Sequence, residues 1–328
     1  MLAGGTWPLR APGKRMFQHW RRKPAARAAP GPQPGGAAPA SSASLLVAIT
    51  FHYVASRLFY LLDVVRALAD FPVQRLDVII VTNTTAPSER NSISDLLAPL
   101  LHGGKTVEVL PCPALAHPHD LAWAHKPLIS GRFLAAGSGY THFIYLEDDT
   151  RFGYANFCYF AAFRPKLAPS GLVPSFVRTE FSLRDGRLYS TDFLAPFTPD
   201  GGPCVAVDNY RFCAVDFPYC GLFVLDRELA AEHLASAAFR PESSISLAPE
   251  WPIRERAAMG LCWTAPPPGF RARYVVPVER NSGVVPGCCW VAHLPNNYAN
   301  DPTTPYGKIP MSELASVAAA SQHVLGKT

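Results

Sequence analysis

The chain has 328 residues, 48% hydrophobic and 17% charged, which suits a globular protein with a sizeable core and excludes a largely disordered one. Its net charge of +5 is uneven: seven of the 30 basic side chains and none of the 25 acidic ones fall in residues 1–44, leaving 23 basic against 25 acidic beyond them. A body so near neutrality excludes a nucleic-acid-binding surface, which needs clustered positive charge to displace counterions.

Residues 1–44 are rich in Ala, Pro, Gly and Arg and cannot bury enough apolar surface to offset the entropy of ordering them. A disordered basic tail is expected. Met16, Phe17 and Trp20 beside Arg21, Arg22 and Lys23 also offer a peripheral contact with an anionic membrane surface, and an Arg-rich, acid-free stretch suits a transit peptide too. The packed pattern begins at Leu45. Leu45–Thr50 reads as a buried strand, and Ser56–Ala69 as a helix with Leu58, Leu61, Leu62, Val65 and Leu68 on one face. Leu76–Thr82 is a second buried strand, followed by turn residues and a helix over Ser88–Leu101, in which Arg90 reads as an exposed side chain. A strand over Lys105–Leu110, a helix over Lys126–Ala136 and a strand over His142–Leu146 continue the alternation. Beyond Asp149 come a helix over Asn156–Lys166, a strand over Ser175–Phe181, a strand over Pro218–Leu225 and a helix over Asp226–Leu234, separated by Pro- and Gly-rich loops. Strands alternating with helices predict an α/β domain whose sheet is built on parallel strands. In such sheets ligands bind outside the carboxyl ends of the strands.

The eight cysteines include no CxxC pair, so neither a zinc ribbon nor a thioredoxin-like motif is present, and reduced, mostly buried thiols are expected. With no secretory-signal pattern and no apolar run long enough to cross a bilayer, a cytoplasmic protein is expected, peripheral at the membrane if the tail binds it.

The strand His142–Leu146 runs into Glu147-Asp148-Asp149. Three consecutive carboxylates at a strand end raise one another's proton affinity, and a hard divalent cation such as Mn²⁺ or Mg²⁺ would relieve that repulsion. The run Phe143-Ile-Tyr-Leu-Glu-Asp-Asp-Thr-Arg-Phe152, with Phe157 and Tyr159-Phe160 behind it, resembles the metal motif of GT-A glycosyltransferases. Its local form looks like the Glu-Asp-Asp version used by some N-acetylglucosaminyltransferases. The resemblance implies a GT-A-like, Rossmann-type mixed sheet flanked by helices in a single catalytic domain. Residues 45–152 would form its nucleotide-sugar-binding half and residues 153–328 its acceptor-binding half. It also implies Asp149 as the metal ligand, with Glu147 and Asp148 assisting at the donor. A late histidine that completes the metal shell would be His293, and a base at the start of an acceptor-side helix would be Glu255, with Glu250 behind it and Asp192 or Asp216 as substitutes. Glu255 pairing with a neighbouring arginine on a solvated helix is the plainer alternative.

The segment His117-Pro-His119-Asp120-Leu-Ala-Trp123-Ala-His125-Lys126 is dense in polar groups. Pro118 and Trp123 spoil the helical spacing that paired zinc ligands need. His125 and Lys126 are placed instead near the donor diphosphate, where positive charge would stabilise the leaving group. Thr82 and Asn83, at the end of the second strand, are placed at the base or ribose. The function expected is a metal-dependent transfer of a hexosyl or N-acetylhexosaminyl group. The donor would be a nucleoside-diphosphate sugar and the acceptor a hydroxyl of a glycan, lipid-linked or protein substrate, with inversion. A nucleotidyltransferase on a similar sheet and a non-catalytic carbohydrate-binding protein are the alternatives. The first would normally carry a Gly-rich phosphate loop after the first strand, where this chain has Thr50-Phe-His-Tyr-Val-Ala-Ser56.

Overall fold

The structure, a computed structural model, describes residues 42–315. The expectations for the basic tail fall outside that span except at its end, where Ala43 and Ser44 are already buried and Ser44 opens the first strand. That strand, β1 (Ser44–Phe51), is buried along its whole length, as an unbroken apolar run should be when both sheet faces are covered. A short 3₁₀ turn, Ala55–Arg57, leads into α1 (Leu58–Ala69). Its buried stripe is Leu61, Val64, Val65 and Leu68, so the expected Leu58 and Leu62 lie at the edge of the stripe. β2 (Arg75–Thr82) follows, then α2 (Pro87–Leu97). This helix ends earlier than expected, and Ala98–Leu100 tightens into a 3₁₀ turn around Pro99, which has no N–H to continue the ladder.

After β3 (Lys105–Pro111) the chain makes a 3₁₀ segment, Pro118–Trp123, and α3 (Lys126–Leu128). The helix expected as far as Ala136 lasts one turn. It widens into a π turn over Ile129–Phe133, closed by the Leu134 N–H on the Ile129 carbonyl at 2.9 Å, with the weak helix former Gly131 inside it. β4 (His142–Glu147) comes next, then the two-residue β5 (Thr150–Arg151). On β4, Phe143 and Tyr145 pack with His125 and Phe223 on one face, while His142 meets Phe157 and Phe160 on the other. Each fully buried aromatic contributes roughly 1.5–3 kcal/mol, and the three acids follow at the end of this packed strand.

The remaining elements are α4 (Tyr154–Leu167), β6 (Val173–Pro174), β7 (Val177–Phe181), β8 (Leu188–Ser190), β9 (Cys204–Val207), β10 (Tyr210–Ala214) and β11 (Leu222–Asp226). They continue through α5 (Arg227–Ala235), α6 (Pro241–Ser244), α7 (Ile253–Ala258), β12 (Tyr274–Glu279), β13 (Trp290–His293), α8 (Asn297–Asn300) and β14 (Ile309–Pro310). Asp226 caps α5 by accepting from the Leu229 N–H at 2.8 Å. The strand expected over Ser175–Phe181 is β7, which starts two residues later at Val177, because the chain changes sheet just before it: β6 pairs with β12 and β7 with β13.

The fold is α/β, with mixed sheets flanked by helices. The first sheet has the order β11-β4-β1-β2-β3, parallel except for β11, which runs antiparallel to β4. A second sheet is ordered β6-β12-β10-β9 and a third β14-β8-β7-β13-β5. Cys204 and Cys213 stand opposite each other across β9 and β10 and are joined as a disulfide, which corrects the expectation of reduced thiols throughout. Strand pairing puts them there, and spacing alone does not reveal it. Among the described residues no helix is long and apolar enough to cross a membrane.

Candidate active site

In the first sheet the chain moves outward from β1 through β2 to β3, then returns to the other side of β1 with β4. A crevice therefore opens between the carboxyl ends of β1 and β4, the usual ligand position in such sheets. Thr50 and Glu147 are register partners there, so Glu147 ends β4 at the crevice and Asp148 and Asp149 lie just beyond it. Two clefts meet on these acids, sharing Arg57, Glu147, Asp149 and Arg254. The first, about 400 Å³, is walled by Thr50, His52, Val54, His119, Leu121 and Tyr145. The second, about 510 Å³, carries Phe217, Tyr219, Trp251, Tyr298 and Tyr306 with Arg178, Asp192, Glu250, Glu255 and His293. Phe217, well exposed, stacks on buried Trp251 at 5.6 Å and 25°.

Two arginines serve the row: Arg178 lies beside Glu147, and Arg57 holds both Asp148 and Asp149. Glu147 accepts from the Tyr219 hydroxyl at 2.8 Å and lies 3.8 Å from Arg178, whose own fork is held by Asp192 at 2.9 and 2.5 Å. Burial raises its pKa against the opposing pull of Arg178. Gly221 backs it: a Cβ there would stand 2.8 Å from Glu147 Oε2, and the glycine has φ +64°, so both space and backbone conformation call for glycine. That left-handed residue is also why β11 starts at Leu222 and not at Pro218. Asp148 accepts from Arg57 Nε and NH2, both at 3.0 Å. Burial, with Asp149 beside it, pushes the Asp148 carboxyl up to about 7 despite Arg57. Asp149 Oδ2 accepts from the same guanidinium at 2.8 Å, while its Oδ1 is buried without a hydrogen-bond partner.

His293 reaches this row through strand pairing. β13 runs antiparallel to β5, with His293 opposite Thr150, and the Leu294 N–H donates to the Asp149 carbonyl at 2.9 Å. Nδ1 of His293 donates to buried Glu180 at 2.5 Å, which leaves Nε2 facing Asp149 Oδ2 at 3.7 Å. A carboxylate behind one ring nitrogen, with the other aimed at an acid, is the arrangement that orients a metal-binding imidazole. Asp149 and His293 are the two side chains here that could ligate a hard divalent cation. Among the described residues no group of three or more His, Cys, Asp or Glu side chains is gathered that could hold a metal ion. Phosphate and water oxygens would have to complete the shell, as is usual for magnesium.

Glu255 sits on α7 in the second cleft. It does pair with Arg254, at 2.8 Å through Oε1, yet its Oε2 is buried and unpartnered. Glu250 lines the same cleft, Asp192 is committed to Arg178, and Asp216 is exposed.

Four expected donor contacts are not met. Thr82 is fully buried in β2, and the Asn83 amide oxygen accepts from the Tyr53 N–H at 2.8 Å, holding the loop after β1. Neither they nor Arg90 line either cleft. His125 and Lys126 are also buried away from the clefts. His125 stacks on Tyr145 at 4.0 Å, and the Lys126 ammonium meets His233 Nε2 at 2.7 Å and the rings of Trp123 and Phe223. Burial holds both pKa values well below their usual ranges. The apolar Leu121-Ala122-Trp123 run that precedes them packs inward and takes them along. His117 and Asp120 form a capping box for the 3₁₀ segment and not a zinc cluster. Arg57, Arg178, Glu180, Tyr219 and Asn156 went unread in the sequence. Asn156 accepts from the Gly153 N–H and donates to the Cys288 and Trp290 carbonyls at 2.9 and 2.8 Å, tying α4 to β13. Only Arg57 had a signal, as a basic residue at the head of the helix that follows β1.

No protein-family model matches the chain, and a search of curated proteins finds no similar sequence.

Proposed function

We propose that this protein is a metal-assisted glycosyltransferase of the GT-A type, moving a sugar from a nucleoside diphosphate to an acceptor hydroxyl. The observation that carries the reading is a row of three acids at the switch point of a mostly parallel sheet, with a Glu180-oriented histidine facing its last member and a cleft on either side. The nucleotide occupies the first cleft, where Thr50 and His52 offer polar contacts beside apolar Val54 and Leu121. The acceptor occupies the second, where exposed Phe217 stacked on Trp251 suits the apolar face of a sugar ring.

Asp149 and His293 would hold the cation, with Glu147 and Asp148 close by at the donor. A bound Mn²⁺ or Mg²⁺ supplies Lewis-acid stabilisation of the negative charge that builds on the leaving diphosphate. The bond from the anomeric carbon to the diphosphate oxygen breaks as the acceptor oxygen bonds that carbon from the opposite face. Glu255, which lines the second cleft with Arg254 on its Oε1, accepts the hydroxyl proton. Configuration is inverted.

The test is hydrolysis and transfer across a panel of nucleotide sugars, with Mn²⁺ and with excess chelator. Metal-dependent release of a nucleoside diphosphate from at least one donor is expected. No release from any donor, with Mn²⁺ present and the protein folded, would overturn the reading.

A further inference from the structure

Arg57 holds two of the three acids at once. Its guanidinium spans both Asp148 oxygens at 3.0 Å and reaches Asp149 Oδ2 at 2.8 Å, with its side chain about one-third exposed. Asp149 Oδ2 is also the atom nearest His293 Nε2, at 3.7 Å. Asp149 and His293 are each more than nine-tenths buried, and Asp149 Oδ1 has no partner. A second positive charge brought between Asp149 and His293 meets the guanidinium already resting on that carboxylate edge, and like charges so close exclude each other.

We propose that Arg57 is an internal competitor for the cation site. It must leave Asp149 before a divalent cation can bind Asp149 and His293 together, so it holds down the metal affinity of the chain alone. Arg57 lines both clefts, and once released it is a free planar fork beside the acids, suited to two oxygens of a diphosphate. Cation and diphosphate thereby favour each other's binding, with Arg57 carrying the coupling. The inference rests on the metal site of the glycosyltransferase reading, and its test needs no sugar transfer.

The experiment titrates Mn²⁺ alone into the full chain and follows the free-ion electron paramagnetic resonance signal, for the wild type, Arg57→Gln, Arg57→Lys, and Arg57→Gln with His293→Ala. Arg57→Gln should bind Mn²⁺ about tenfold or more tightly than the wild type, within the usual range of coupling between two sites. Adding His293→Ala should cancel the gain. Arg57→Lys keeps the charge but cannot fork across both carboxylates, so it should gain a smaller factor. It decides the matter if circular dichroism finds Arg57→Gln unfolded. Equal or weaker Mn²⁺ binding in the folded variants, alongside measurable wild-type binding, would overturn the proposal and leave the metal reading standing. Absence of Mn²⁺ binding in every variant would overturn both.

Discussion

The cleft between β1 and β4 takes its walls from strand ends of one sheet and from the segment after β3. The cleft on the other side of the same acids draws on residues 178–192, 217–219, 250–255 and 293–306, which belong to other strands and to long loops. The first is specified by local strand–turn–helix order, so that whatever builds the sheet builds the cleft. The second depends on a few distant ties, including Asn156 to the approach to β13, Glu180 to His293 and Gly221 against Glu147. Substitutions at Asn156 and Glu180 should damage the second cleft and spare the first, whereas one at Gly221 disturbs Glu147, which both share.

The sharpest test of what the two clefts share is Asp149→Asn. It removes the charged acid at their junction and should lower sugar transfer by about 10³-fold or more, reflecting several kcal/mol of lost charge stabilisation. Far-UV circular dichroism should not change, and excess chelator should reproduce the loss in the wild type. Glu255→Gln acts on the second cleft alone. It should lower kcat by about 10²–10⁴-fold while calorimetry finds nucleotide binding unchanged; weakened nucleotide binding would mean that the clefts are not separate. Gly221→Ala adds a methyl group against Glu147 and forces a side chain onto φ +64°. A cost of about 1–3 kcal/mol in the stability from urea unfolding is expected, with β1 and β2 of the first sheet still protected from hydrogen exchange.

Lys126→Met should have the smallest effect. The lysine lies outside both clefts, so transfer should proceed at the wild-type rate. Stability at neutral pH should change by no more than about 1–3 kcal/mol, since relief of the lysine's desolvation is opposed by leaving buried His233 Nε2 without its partner. The direction with pH follows from its lowered pKa. Between that folded value and the 10.5 of the unfolded lysine, the unfolded chain binds the extra proton. Wild-type stability therefore rises with pH across this window and is lost as pH falls. Thermal midpoints measured against pH should be flatter in Lys126→Met.

The sequence disclosed most where the information was local. The buried run of β1, the alternation up to β4 and the acids at its end follow from neighbouring residues. Asp149, His293 and Glu255 come together around one pair of clefts as expected. Thr82 and Asn83 were misplaced because β2 is covered on both faces and because an amide at a strand end has backbone donors to satisfy nearby. His125 and Lys126 were misplaced because charge suggested exposure, whereas their apolar neighbours decided burial. Glu180 and Asn156 act through β7 and β13, whose side-by-side register no short pattern encodes. The Cys204–Cys213 link was hidden for the same reason.

His293 and its orienting acid are 113 positions apart, and that distance has a meaning during biosynthesis. At about 5–20 residues added per second, the acids leave the ribosome on the order of ten seconds before the histidine that faces them. Arg57 emerges earlier still, so the nascent carboxylates already have a counter-charge at hand. A chain cut between β12 and β13 keeps the first sheet and its acid row but lacks the histidine. Catalytic competence would then report that synthesis has passed β13.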